Sequence, residues 1–260
     1  MAEMWFPAGL STRLWGHKFS QVLRGKRSPA IFQLSPLVRH FAPGVRFESA
    51  IPEAAWHTPE ACVQAANQVG APVVWIGRVE PLLHPGIGKV TTALAQSGRH
   101  VFLDTSGQDL RKRVHEFQPG ERFFFAFQLG DSEVAYRGKG NSRAFQSVIE
   151  ALRIVKLSGF FACVHLIVGT QTPVAEMEPL FRSLETSRVD GIAVSSDGAS
   201  ASDASDTAFG KKIAEITGMI PSRPWRKLSR MLEASYPQTA GVQEQAGVRT
   251  RGTDACEESA

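Results

Sequence analysis

The chain has 260 residues, 43% of them hydrophobic and 21% charged, and carries a formal net charge of +4. Such a length and apolar share suit one large α/β domain, or two small ones, with a sizeable core. Its three cysteines (Cys62, Cys163 and Cys256) are scattered, odd in number and without CxxC or CxxxC spacing, which argues against a disulfide framework and fits a reducing cytoplasm.

The charge is uneven. Residues 1–50 hold seven Lys/Arg against two acids, Glu3 and Glu48, and a second basic knot lies at Arg223, Arg226, Lys227 and Arg230. Patches of this kind are solvated surface or attract phosphate and anionic headgroups. No apolar run approaches the roughly 20 residues of a membrane-spanning helix. Met1 to Leu10 contains Glu3 and no basic residue, unlike the opening of a signal peptide. The expected location is the cytoplasm, with a peripheral place on the cytoplasmic face of a membrane as its variant.

The first element in chain order is an amphipathic basic segment, Leu14–Leu23, with apolar positions Leu14, Trp15, Phe19, Val22 and Leu23. Its apolar side packs on the domain's exterior or lies on a membrane or partner. A strand is expected near Ala30–Leu34. Thr58-Pro59-Glu60 opens a helix through about Val69, with Thr58 as cap and Pro59 at the first helical position, and Gly70 ends it.

Pro72–Ile76 is the second strand, Ile87–Gln96 the next helix, Val101–Leu103 the third strand and Asp109–Phe117 a short helix. Arg122–Leu129 is strand four. The helix Ser142–Leu157 follows, with Phe145, Val148, Ile149, Leu152 and Val155 on one stripe. Phe160–Val168, Val174–Thr186, Gly191–Val194 and Thr207–Thr217 complete the alternation, while Ser195–Asp206 is a Ser/Ala/Asp loop with little to bury. Strands alternating with helices predict a parallel sheet with outer helices. The expected division is an amphipathic segment at 1–28, a domain at 29–220, and a basic then polar, disordered tail at 221–260.

The fragment Ala71-Pro-Val-Val-Trp-Ile-Gly77-Arg78-Val79-Glu80-Pro81 is similar to the second strand and GGEP turn of radical S-adenosylmethionine (SAM) enzymes. Val101–Gly107, Phe125–Gly130, Tyr136–Gly140 with Phe145 and Ala151–Gly159, and Val189–Val194 resemble that superfamily's later strands and turns, in order. The match runs from Trp15 to Asp197 and is nearest to the branch that adenosylates hopanoid lipid precursors. This resemblance implies a partial (β/α)6 TIM-like barrel.

It also implies an iron–sulfur cluster held by a CxxxCxxC loop, and here the chain departs from the family. The three cysteine places fall on His40, Gly44 and Phe47, and glycine and phenylalanine cannot ligate iron. The two glycine places of the GGEP turn hold Arg78 and Val79, so backbone can no longer approach a ligand without a side chain. Glu80, the acid that meets the SAM ammonium in the family, is kept as a vestigial cofactor position.

The expectation is a pseudoenzyme without cofactor, acting as an accessory or structural subunit with a protein partner and a possible membrane contact through residues 13–27; nucleic acid is not an expected ligand. One alternative is an enzyme with a replacement mononuclear metal on His40, His84 and His165, joined by Glu80 or Cys163. Cys163 and His165 are two apart on one strand and so share a face. The other is a lipid or isoprenoid binder whose pocket uses the aromatic run Phe123-Phe124-Phe125 with Phe127. As a buried parallel strand, the same run is apolar on both faces. Neither a P-loop GxxxxGK[ST] nor a GxSxG elbow occurs.

Overall fold

A computed structural model describes residues 4–25, 28–37, 55–130, 143–197 and 207–235. Its six strands are β1 (Ile31–Leu34), β2 (Val73–Ile76), β3 (His100–Thr105), β4 (Phe123–Leu129), β5 (Phe161–Val168) and β6 (Gly191–Ser196). They pair in parallel and in sequence order, and the sheet curls into a half-barrel. The helices are α1 (Ala8–Arg24), α2 (Pro59–Val69), α3 (Ile87–Gln96), α4 (Leu110–Arg113), α5 (Arg143–Leu157), α6 (Met177–Thr186), α7 (Thr207–Met219) and α8 (Arg223–Ser235). This is the expected α/β partial barrel.

Local chemistry places the ends. Thr58 caps α2 by accepting from the Ala61 amide at 3.2 Å, and Gly70 closes it in the left-handed region at φ 69°. The strands are buried on both faces, which is why they read as unbroken apolar runs. Alternation then sorts the two sides. Trp75, Phe102, Phe124 and Phe161 face the interior and stack in sequence, with ring centroids 4.8, 4.8 and 5.4 Å apart. Phe125 and Phe123 face outward against Phe117 and Phe160. Phe127 also faces outward, beside Ala151 of α5 under Gly107. The aromatic run therefore serves both walls of one strand and lines no common pocket.

The open side of the half-barrel is closed by α8. Its Trp225 lies under β6, its ring edge-on to Phe102 and Phe124, and donates from Nε1 to the Trp5 carbonyl at 3.0 Å. Higher up, Ser229 Oγ accepts from the Val194 amide at 3.0 Å, and the Glu233 carboxylate accepts from the Ser196 amide at 2.7 Å and the Ser196 hydroxyl at 2.6 Å. Two side chains one turn apart thus satisfy amides of a strand that, among the described residues, lies at the edge of the sheet. At the far end Ser235 accepts from Gln33 of β1 at 3.1 Å.

Two expectations change here. Residues 223–235, assigned from their basic composition to a tail, form a helix that buries Trp225, Leu228 and Leu232. Ser195 and Ser196, assigned to a loop, complete β6 and are buried. The Ser/Ala/Asp stretch from 198, and the polar stretch from Pro237, lie outside the described residues. No described helix is long and apolar enough to cross a membrane.

Candidate functional site at the mouth of the half-barrel

In a barrel of parallel strands the chemistry-bearing loops follow the carboxyl ends of the strands. Here Gly77 follows β2, and the turn Arg78–Glu80 leads into a single 3₁₀ turn, Pro81–Leu83. Arg78 occupies φ 70°, a left-handed conformation that suits glycine and strains a residue with a Cβ. The turn therefore keeps a glycine-type backbone with arginine in place. Gly77 is constrained differently: a Cβ there would sit 3.0 Å from Asp104 Oδ2.

Glu80 is the best-placed acid of the mouth, and its carboxylate is fully engaged within the protein. Oε1 accepts from the Leu82 amide at 3.1 Å and the Thr105 hydroxyl at 2.5 Å; Oε2 accepts from the Ser106 amide at 2.8 Å and the Ser106 hydroxyl at 2.7 Å. A carboxylate offers about four acceptor sites, and four donors fill them. The same turn is held from the other side by Arg113. Its guanidinium donates to the carbonyls of Leu82 and His84 and forks onto Glu116 at 2.6 Å, and this hydrogen bond holds the Glu116 carboxyl below its usual range. Glu80 and Arg113 together tie the ends of β2 and β3 into one rigid rim.

His84 is likewise committed. Its Nδ1 accepts from the Gly86 amide at 2.9 Å, which leaves the proton on Nε2 to be donated to the His57 carbonyl at 2.7 Å. Trp56 packs edge-on against the ring. His165 belongs to another network. Its Nδ1 lies 3.0 Å from both carboxylate oxygens of Asp104, and its Nε2 lies 2.8 Å from Ser195 Oγ. The strand register puts Asp104 level with Cys163; His165 lies one inward position higher on β5, and Ser195 one higher again on β6. Tilted strands produce this diagonal.

Asp104, His165 and Ser195 form an acid–imidazole–hydroxyl relay, all three buried, with Trp75 edge-on to the imidazole at 5.1 Å. In chemical capacity it can hold one proton on either side of the imidazole. A nucleophilic serine also requires an approach path for substrate, and all three side chains are closed to solvent. The arrangement ties β3, β5 and β6 together inside the barrel.

The replacement-metal constellation is not assembled by these residues. His84 and His165 sit in separate networks with both nitrogens of each engaged, and His40 lies outside the described residues, as do Gly44 and Phe47. Among the described residues no group of three or more His, Cys, Asp or Glu side chains is arranged to hold a metal ion. The Cys163 thiol is pushed well up, first by burial and then by the charges of Asp104 and Asp190, and burial pushes Cys62 up to about 11. Neither is a ready thiolate. Gly44 and Phe47 carry no donor atom for iron, and the described cysteines Cys62 and Cys163 offer no thiolate in their place, so these residues do not fit an iron–sulfur cluster.

Asp104, Ser195, Thr105 and Arg113 are the residues of the candidate site that sequence reasoning missed. Inward alternation was the available signal for Asp104 and Ser195, but it needs the register between strands; Thr105 falls on the alternate position of β3 and Arg113 lies on α4.

Among solved structures the chain is similar to Streptococcus suis SuiB bound to S-adenosylmethionine, at 15% identity and a TM-score of 0.48, covering 70% of this chain and 42% of that one. SuiB bound to the precursor peptide SuiA gives 13%, 0.49, 70% and 43%. TYW1 with a lysine–pyruvate adduct bound gives 17%, 0.37, 55% and 55%. The chain thus spans less than half the length of the SuiB structures it matches. A comparison with curated proteins finds no match. The family model of the radical SAM superfamily matches residues 41–184, more than half of the sequence. With that match and a parallel six-stranded half-barrel, the chain belongs to the radical SAM superfamily.

Proposed function

We propose that the protein is a catalytically silent member of this superfamily, serving as an accessory or structural subunit in a hetero-complex. The observation that carries this reading is the substitution of all three cluster cysteine places by His40, Gly44 and Phe47. Cluster ligation in this superfamily requires thiolates at those places, and two of the three replacements have no donor atom in the side chain. Glu80 supports the same reading, because a carboxylate already engaged by four internal donors has no acceptor site left for a ligand's ammonium group. Arg78 and Val79 add side chains where the family's turn has none. A barrel in this condition offers its rim and outer helices as docking surface. In this reading it resides in the cytoplasm, peripherally at a membrane.

The test is anaerobic reconstitution with iron and sulfide, followed by iron analysis, SAM titration and assay for 5′-deoxyadenosine. The expected result is no retained cluster and no SAM cleavage. A stoichiometric cluster with SAM cleavage ends the proposal.

A further inference from the structure

Helix α1 carries two apolar faces. Leu10 and Leu14 point inward and are buried. At 100° per residue, Trp15, Phe19, Val22 and Leu23 fall together on the opposite side of the helix. There they are 67, 66, 80 and 70% exposed. They make up four of the seven large hydrophobic side chains exposed among the described residues. One core-facing stripe is sufficient to hold a surface helix on its domain, and a second, contiguous stripe of this kind marks an interaction site.

The surroundings of this stripe are cationic. Lys227 of α8 lies over the Trp15 ring at 4.5 Å, and Lys18 flanks the stripe on α1. Between the two helices runs a groove of about 210 Å³, lined by Phe6, Leu14 and Trp15 on its apolar side and by Arg223 and Lys227 on the other. Helix α1 has Arg13, Lys18 and Arg24 and no acid; α8 has Arg223, Arg226, Lys227 and Arg230 and one acid, Glu233, whose carboxylate is engaged by Ser196. Lys26 and Arg27 follow α1 in the sequence.

We infer that α1 and the basic edge of α8 dock the protein on an anionic phospholipid bilayer, with α1 lying in the plane of the interface. An apolar stripe with tryptophan and phenylalanine, edged by lysine and arginine, is the pattern of an interfacial helix: the stripe enters the acyl boundary and the cations meet lipid phosphates. A second copy or a folded partner is the poorer occupant. One strip of four side chains falls well short of the roughly 20 residues a side in a stable protein interface, whereas an interfacial helix needs no more than one face. This inference rests on the peripheral placement proposed above and not on catalytic silence, so SAM cleavage would leave it standing.

The experiment is co-flotation of the full chain with vesicles of phosphatidylcholine alone, and with phosphatidylcholine and phosphatidylglycerol in about a three-to-one ratio. The expected partition is at least ~10-fold stronger on the anionic vesicles and weakens with added salt. The Phe19→Glu/Leu23→Glu double variant should lose at least ~30-fold, and Lys227→Glu about 5-fold. All three positions lie outside the core, so unchanged far-ultraviolet dichroism and melting are expected of both variants. Equal partition on the two kinds of vesicle, or none on either, overturns the inference. So does a wild-type dimer that the double variant converts to monomer, an outcome that gives the stripe to a second copy.

Discussion

The closure of the half-barrel by α8 depends on one contact that is severe enough to test. A Cβ added at Gly191 would lie 1.8, 2.1 and 2.3 Å from Cε2, Cζ2 and Cδ2 of the Trp225 ring. These are atoms of a rigid ring held on three sides, edge-on to Phe6 at 5.3 Å, Phe102 at 6.2 Å and Phe124 at 6.4 Å. Gly191→Ala therefore has to drive the indole outward by more than about 1 Å, at the upper end of overpacking costs, ~3 kcal/mol. Trp225→Ala removes a fully buried indole and its hydrogen bond to Trp5, which costs about 3–5 kcal/mol. The two changes should not add. With the indole gone the added methyl has room, so Gly191→Ala in the Trp225→Ala background should cost less than ~1 kcal/mol, a coupling of about 2 kcal/mol. Urea unfolding followed by far-ultraviolet dichroism reads all four corners of the cycle without relying on tryptophan emission. If Gly191→Ala costs under ~0.5 kcal/mol in the wild-type background, or if the costs add, then α8 does not sit against β6 as described.

Arg78→Gly relieves a left-handed arginine and should raise unfolding free energy by about 0.5–1 kcal/mol, after the entropy of the glycine is deducted; a loss in the same urea titration would mean that the arginine side chain stabilises the rim. His100 is buried with Nδ1 unpaired, and its pKa is depressed to about 4 by burial first and then by Arg13 and Arg122. The fold therefore keeps its full stability above the unfolded value of 6.5 and loses it as pH falls towards 4; His100→Gln should shrink the loss between neutral pH and about pH 4.5 by about 2 kcal/mol, measured by urea midpoints along the pH series. Asp190 holds Lys156 Nζ through both oxygens at 2.8 Å and accepts from the Ala162 amide at 2.7 Å. Asp190→Ala strands that amide and a partly buried ammonium and should cost about 2–3 kcal/mol, while Asp190→Asn, which keeps an acceptor for Ala162, should cost less than half as much by thermal melting.

The strands were legible in the sequence because a parallel sheet covered on both faces imposes unbroken apolar runs, and Val73–Ile76 or Phe123–Leu129 admit little else. Helix α2 was legible from its ends, Thr58-Pro59 before it and Gly70 after. Helix α8 was misassigned because composition was weighed above period. Arg223, Arg226, Lys227 and Arg230 make the segment look like a solvated tail, yet Trp225, Leu228 and Leu232 recur at helical spacing and are all buried. The site was only half legible. Glu80 and His165 stood out by residue type and motif position. Their partners are Thr105, Ser106, Asp104 and Ser195, common residues whose role exists only through register. The double face of α1 was legible as an apolar count but not as two stripes, since only the fold assigns Leu14 to the core and leaves Trp15 outside.

The interior of the half-barrel gives these separate features one physical logic. Its lower tier is filled by rings: Trp5 stacks on Phe161 at 4.2 Å, and Trp225 closes against Phe102 and Phe124. Its next tier is the Asp104–His165–Ser195 relay, and its rim is Glu80 with its four donors. A cavity built to receive a charged ligand keeps donors and acceptors in reserve, because a buried polar group left unpaired costs about 1–3 kcal/mol until the ligand arrives. Among the described residues the acid at the rim and the imidazole in the wall both spend their hydrogen-bonding capacity on neighbours, while the indole N–H of Trp75 beside that imidazole is buried without a partner. On the outside, four of the seven large hydrophobic side chains exposed among the described residues lie on the outer stripe of α1, so the apolar surface that the fold leaves uncovered is concentrated on one helix face.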